Sequence, residues 1–198
     1  MERRQMTQEV EIEFKSMLTK DEYEALLDAY QLADQVKWQA NDYFDTPTFE
    51  LRNHGAALRI REKKTGLVLT LKQPHDVGLL ETHAPLTDEA AENLFKYGIV
   101  HDEQMKEALA SFNLTGPLEH LGRLETKRAE IETAEGLLVL DESNYLEIRD
   151  YEIEFEVTDE TAGRIAFERL LAKHGIPLRP AKNKIVRFME EKMSRSEG

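Results

Sequence analysis

The sequence has 198 residues, 33% of them charged and 40% hydrophobic, enough for one generous domain. Its 26 Lys+Arg against 39 Asp+Glu leave a net charge of -13, which repels nucleic-acid backbones and anionic lipid, so neither duplex nucleic acid nor a membrane is an expected partner. The absence of cysteine removes disulfides, thiol nucleophiles and cysteine-type zinc; no apolar run nears the roughly 18 residues of a spanning helix, and no apolar segment follows Arg3-Arg4, so cytoplasmic residence is expected.

Residues 8–16 alternate strictly, with Glu9, Glu11, Glu13 and Lys15 on one parity and Val10, Ile12 and Phe14 on the other. The pattern predicts a strand with one wholly ionic face. Thr19 and Glu22 have capping-box spacing, and Tyr23, Leu26, Leu27 and Tyr30 recur helically, so a helix is expected to near Ala33. A second strand is expected over 36–46, closed by Pro47; Phe49, Leu51 and an Asn53-His54-Gly55 turn lead to a third over 56–62. Lys63-Lys64-Thr65-Gly66 connects it to a strand over 67–73 that Pro74 ends, and another strand follows around 79–84.

Thr87 and Asp102 each open a short helix, the latter carrying Met105, Leu109 and Phe112, and the two form an insertion or covering layer. Residues 121–132, 136–145 and 147–157 read as three successive strands. Thr158 is the expected cap of an amphipathic helix over 162–174, stopped by Gly175 and Pro177; a last helix ends in a frayed tail from Ser194 to Gly198. No internal repeat, low-complexity block or Pro/Gly/Ser linker interrupts the chain, and residues 1–198 read as a single domain.

For one strand, an ionic face is ordinarily solvated surface. Here it recurs on Arg59/Arg61, Lys72, Arg128 and Glu152/Glu154/Glu156, with the signs segregated by strand. Like charges two residues apart lie about 7 Å from one another and repel, so an exposed sheet would intersperse the signs. The segregation is consistent if all these faces line one polar interior and helices cover the apolar faces. About eight antiparallel strands can close into such a barrel. An interior of unpaired ions is prohibitively costly, so the lining must be matched to ions of its own. Clustered carboxylates suit a hard cation such as Mg2+ or Mn2+, and converging Arg and Lys suit a multiply charged anion; together they describe a metal-bound polyphosphate.

The run Glu11-Ile12-Glu13-Phe14-Lys15 resembles the ExExK signature of the CYTH superfamily, the triphosphate tunnel metalloenzymes. Further matches follow in order: Tyr43-Phe44-Asp45-Thr46, Leu58-Arg59-Ile60-Arg61, Leu69-Thr70-Leu71-Lys72, Glu81, Thr126-Lys127-Arg128, Val139-Leu140-Asp141, the alternating glutamates of 151–157, and Pro180-Ala181-Lys182. The resemblance implies an α+β fold, an eight-stranded antiparallel barrel forming a tunnel, flanked by helices. It implies Mg2+ or Mn2+ dependence and chemistry on a triphosphate-bearing substrate. Glu11 and Glu13, with Glu154 and Glu152, would hold metal. Lys15, Arg59, Arg61, Lys72, Arg128 and Lys182 would clamp phosphates, and Glu81 and Asp141 would be further acidic lining toward metal or toward the basic residues. Glu11, Glu13 and Lys15 form the catalytic core of this assignment.

The last acidic strand offers two frames, Glu152/Glu154 or Glu154/Glu156, of one parity. Lys184 points elsewhere than Lys182 if its segment is already helical, and is a second-rank candidate for the clamp. Arg123 differs from Arg128 in parity, so only one is expected inside, and Arg128 is the choice.

The implied activity is hydrolysis of inorganic triphosphate or a small organic triphosphate. A class IV adenylyl cyclase, using the ribose hydroxyl of ATP as nucleophile, and a non-catalytic polyphosphate- or nucleotide-binding module are the alternatives. His54, His75, His83, His101, His120 and His174 show no metal-ligand spacing and read as surface or satisfied partners. P-loop, dinucleotide and nucleophile-elbow motifs are absent. Oligomeric state is not legible in the sequence.

Overall fold

The computed structural model describes residues 7–196. The start carrying Arg3-Arg4, and the last two residues of the expected tail, lie outside the described residues. Eight strands, β1 (Thr7–Leu18), β2 (Lys37–Asp45), β3 (Ala57–Lys63), β4 (Gly66–Pro74), β5 (Leu79–Leu86), β6 (Glu119–Thr133), β7 (Gly136–Tyr145) and β8 (Ile148–Val157), form a closed antiparallel barrel in the order β1-β5-β4-β3-β2-β6-β7-β8. Helices α1 (Lys20–Ala29), α2 (Glu50–Asn53), α3 (Asp88–Tyr97), α4 (Glu103–Ala110), α5 (Glu160–Lys173) and α6 (Lys184–Ser196) flank it. No helix among the described residues is long and apolar enough to cross a membrane.

Local chemistry sets the boundaries, and in three places they differ from expectation. The Thr19/Glu22 capping box forms, the Thr19 hydroxyl accepting from Glu22 N at 3.2 Å and the Glu22 carboxylate from Thr19 N at 2.7 Å. The helix nevertheless stops at Ala29, because Gln31 adopts a left-handed φ of 55° that no helix continues through; Ala33–Gln35 is a separate 3-10 turn. Residues 50–53, just before the expected turn, form a one-turn helix because buried Asp45 accepts from Leu51 N (2.9 Å) and Arg52 N (3.0 Å). Asp159, not Thr158, caps α5, accepting from Ala162 N at 2.7 Å. Ser194 and Arg195 belong to α6 rather than to a frayed tail.

The chain divides into two compact units, one comprising the start of β1 and Ala40–Arg123, the other Glu11–Gln39 and the chain from Leu124 onward. In the first unit Phe44, Leu58, Ile60, Leu69, Leu71 and Ala84 turn one strand face onto Leu51 of α2, Leu94 of α3 and Met105 and Leu109 of α4, so the expected covering layer is these helices. Gly98 ends α3 with φ +66°, and a Cβ there would come within 2.4 Å of Leu118 O. In the second unit Ala129, Leu138, Leu140, Ile153 and Phe155 pack on Tyr23 and Leu26 of α1 and Phe167 and Leu171 of α5. Gly163 admits α5 this closely, since a Cβ would meet Val157 at 2.4 Å. Each large apolar side chain so buried contributes about 1.5–3 kcal/mol. Strand alternation then dictates that the intervening residues, which carry the charges, face away from the helices.

Candidate active site

In the second unit, register brings the ionic residues of four strands side by side. Lys15 of β1 stands opposite Glu154 of β8 and Glu13 opposite Glu156. Asp141 of β7 stands opposite Glu152, and Arg128 of β6 opposite Asp141. Glu152, Glu154 and Glu156 share a face, as their common parity requires. Asp141 and Glu152 are almost completely buried.

Cations meet these carboxylates directly. Arg128 donates from Nε to Asp141 Oδ1 (2.8 Å) and from Nη2 to both Asp141 Oδ2 (2.6 Å) and Glu154 Oε2 (2.7 Å). The Lys184 ammonium, at the first turn of α6, lies 2.8 Å from Asp141 Oδ2 and 2.8 Å from Glu154 Oε1 and also pairs with Glu152. Arg187, one turn on, donates to Asp150 (2.9 and 3.2 Å) and pairs with Glu152 at 2.5 Å. Asp150 is held in turn by the Tyr145 hydroxyl at 2.7 Å. Lys15 donates to Glu13 (2.5 Å) and to Asn183 Oδ1 (2.7 Å).

Burial and these charges shift the ionisation of Asp141, Arg128, Lys184, Glu154 and Glu156. Burial would raise Asp141, but Arg128 and Lys184 outweigh it and hold its carboxyl well below the usual range. Burial likewise opposes the Arg128 charge, yet Asp141 and Glu154 hold the guanidinium further toward its charged form. Lys184 is pulled down to about 7, chiefly by burial. Glu154 is raised by burial against the opposing influence of Arg128. Glu156 is pushed up to about 7 by burial and then by Glu11, so Glu156 adjoins a concentration of negative charge.

In the first unit the balance is basic. Lys72 of β4 stands opposite Glu81 of β5, and Thr70 opposite both Arg59 of β3 and His83 of β5. Buried Glu81 pairs with Lys72, lies 3.8 Å from Arg59 Nη2 and 3.3 Å from His83 Nε2. His83 Nε2 also reaches Glu9 at 3.2 Å, and its Nδ1 is 3.0 Å from Thr70 Oγ1. A carboxylate only accepts, so Nε2 carries a hydrogen. Arg61 donates from Nε to Asn41 Oδ1 at 2.9 Å.

The structure thus gathers Glu13, Lys15, Arg128, Asp141, Glu152 and Glu154 in one unit and Arg59, Lys72 and Glu81 in the other. Lys182 does not join either group: it is exposed and pairs with Glu190 at 2.6 Å. The helix does begin at Lys184, and that is why Lys184 and Arg187, three residues apart on one helical face, turn inward together. That i, i+3 spacing before buried Phe188 was the signal available in the sequence. His83 was legible as Glu81-x-His83, two residues on one strand face. Arg123 pairs with Asp42 (3.0 Å) and Glu62 (2.5 Å), while His120 reaches Asp42 at 2.9 Å.

Two groups have donor atoms close enough for one metal ion, Asp141/Glu152/Glu154 and Glu9/Glu81/His83, each within 4.8 Å among the described residues. Carboxylate oxygens without thiolates fit a hard divalent ion such as Mg2+ or Mn2+. The CYTH domain profile matches residues 9–189, nearly the whole described chain. This protein belongs to the CYTH family. It is 50% identical to "Putative triphosphatase YjbK" of Bacillus subtilis (strain 168) over 189 residues, which cover 94% of this chain and 98% of that protein. A Bacillus halodurans structure described as a "putative adenylate cyclase" is 39% identical, with a TM-score of 0.87, covering 91% of this chain and 98% of that one. A Hippeastrum protein, HpAC1, described as a "putative adenylyl cyclase" with a dominant triphosphatase activity, shares the fold at 24% identity and a TM-score of 0.76, covering 91% and 96% of the two chains. These CYTH relatives carry both hydrolase and cyclase descriptions.

Proposed function

We propose that this CYTH protein is a cytoplasmic, divalent-metal-dependent triphosphatase that hydrolyses inorganic triphosphate or a small organic triphosphate. The observation that carries this reading is the arrangement of matched carboxylates and cations on the strand faces turned away from the apolar cores. It occurs in a chain half identical, end to end, to a protein described as a triphosphatase. Buried acids and bases in such number are costly for stability alone, and they suit a substrate that is itself a polyanion carrying a cation.

Glu11, Glu13, Glu154 and Glu156 are assigned to Mg2+ or Mn2+; when bound, such an ion supplies Lewis acidity and neutralises phosphoryl oxygens. Asp141, Glu152 and Glu81 are assigned to holding the basic side chains in place. Lys15, Arg59, Arg61, Lys72 and Arg128 bind phosphate oxygens, with the arginines able to engage two oxygens at once and the lysines acting as point charges. Phosphoryl transfer asks little covalent chemistry of a protein. Fixing the chain in line with the attacking water and neutralising charge on the equatorial and leaving oxygens is the work these residues do.

The cyclase description of a 39%-identical structure keeps a second outcome in view, and product analysis separates the two. Purified protein is incubated with tripolyphosphate, ATP or thiamine triphosphate and Mg2+ or Mn2+. Orthophosphate release is expected. Cyclic AMP with pyrophosphate from ATP would identify a cyclase, and binding without turnover of any substrate would identify a binding module.

A further inference from the structure

We propose that Asn183 is a positioning residue for phosphate binding: its side chain holds the Lys15 ammonium at the start of α6, so that one segment sets the places of Lys15, Lys184 and Arg187. The inference rests on the reading of Lys15 as a phosphate clamp. Asn183 Oδ1 accepts from Lys15 Nζ at 2.7 Å, across 168 residues of sequence. The backbone carbonyl of the same residue accepts from Val186 N (2.9 Å) and Arg187 N (3.1 Å), at the opening of α6. Asn183 therefore stands at the N-cap, a place asparagine favours because its side chain can accept from the first turn. Here that oxygen is engaged by a lysine of β1.

The segment leading into α6 is laced to three successive residues of β1. Asn183 takes Lys15, Arg179 N donates to Ser16 Oγ at 2.9 Å, and Met17 N donates to Arg179 O at 3.2 Å. The Arg179 guanidinium adds Met17 O (3.3 Å) and both oxygens of Glu22. Lys184 and Arg187 follow at once and turn to Asp141, Glu152 and Glu154. Lys15 stands opposite Glu154, the carboxylate that Lys184 reaches at 2.8 Å.

A neutral acceptor suits this task. An ammonium has three donors; Glu13 takes one and Asn183 another, and the third can be given to a phosphate oxygen. A second carboxylate in place of Asn183 would cancel charge that a polyanion needs, whereas the amide oxygen directs the ammonium and leaves its charge intact. The helix dipole adds to the need. The N-terminal end of α6 is its positive end and disfavours a cation, so a lysine on a flexible four-carbon stem stays there only if it is held.

The test is a double-mutant cycle read by calorimetric titration of tripolyphosphate in metal-free buffer, with thermal melts on the same samples. Asn183→Ser is the informative variant, because serine caps a helix as well as asparagine does while its shorter side chain does not reach Lys15. It is expected to weaken binding about fivefold, as for one ordinary hydrogen bond, with the melting temperature unchanged. Asn183→Asp, an equal cap with an opposing charge, is expected to weaken binding at least as much. In a Lys15→Met background, Asn183→Ser is expected to change the affinity no further. Steady-state assays of Asn183→Ser should show the loss in KM rather than in kcat. Wild-type affinity in Asn183→Ser would overturn the inference, as would the same fold-loss with and without Lys15, or a loss that follows a lowered melting temperature. If Lys15→Met fails to fold or binds too weakly to titrate, the serine and aspartate variants alone decide. A wild type that binds no tripolyphosphate would defeat the phosphate-clamp reading itself, and the inference with it.

Discussion

In the unit built on β3, β4 and β5, the buried carboxylate of Glu81 is approached by Lys72, Arg59 and His83. In the unit built on β6, β7 and β8, three buried carboxylates share Lys184, Arg128 and Arg187, and Glu156 stands opposite Glu13 beyond them. Both units use the same device, strand alternation with helices on the apolar face, and differ only in which charges occupy the other parity. Around Glu81 two cations, Lys72 and Arg59, meet one buried carboxylate, whereas around Asp141, Glu152 and Glu154 three cations meet three. The difference shows that one architecture sets the direction of the side chains while the residues set the sign of the field.

The sharpest way to break this comparison is Arg128→Ala, which leaves Asp141 and Glu154 buried without the guanidinium that bridges them. A loss of about 3–5 kcal/mol of stability is expected from removing one partner of a buried ionic network, together with loss of turnover. Denaturant melts and phosphate release read both, and a stable, active variant would show that the acidic unit does not depend on its internal cations.

Glu13→Gln should separate catalysis from folding. Turnover is expected to fall at least about 100-fold, as for loss of a group that stabilises the transition state, while the melting temperature moves little. In the basic unit, Arg59→Ala and Lys72→Ala are expected to raise KM for tripolyphosphate about 10-fold each, since a charged hydrogen bond is worth roughly 1.5–3 kcal/mol, with a smaller change in kcat. Equal effects of the Glu13 and Lys72 variants on KM would erase the distinction between the units.

The smallest effect concerns an ion pair that shares no partner with either charge cluster. Arg179 donates to both oxygens of Glu22, at 2.8 and 2.9 Å, and holds its carboxyl below the usual range. A lowered folded pKa contributes stability above the unfolded value of 4.5 that is lost as the pH falls through the folded value. Solvent screens this partly exposed pair, so Glu22→Gln is expected to cost only about 0.5–1 kcal/mol at neutral pH. The difference from wild type should vanish in acid melts. A constant difference down to low pH would mean the contribution is not ionic.

Several of these assignments were legible before the structure. The alternation of Glu11, Glu13 and Lys15, of Arg59 and Arg61, and of Glu152, Glu154 and Glu156 marks one strand face in each case, because a period of two admits no other placement. The position of Lys182 and Lys184 was not legible in the same way. Their two-residue spacing puts them together on a strand and apart on a helix, and the pairing of Lys184 with buried carboxylates accompanies a helix that starts at that residue. The end of α1 was missed for a similar reason: Tyr30 continues the helical spacing, but Gln31 takes a left-handed backbone that side-chain pattern does not encode.

By itself the sequence determined which residues share a face, since side-chain periodicity is a local property of the backbone, and through its ordered motifs it determined the family. Only the tertiary structure decided which opposite charges meet. That depends on strand register and on where α6 begins, and both are settled by packing between segments far apart in the chain, as in the contact between Lys184 and Asp141.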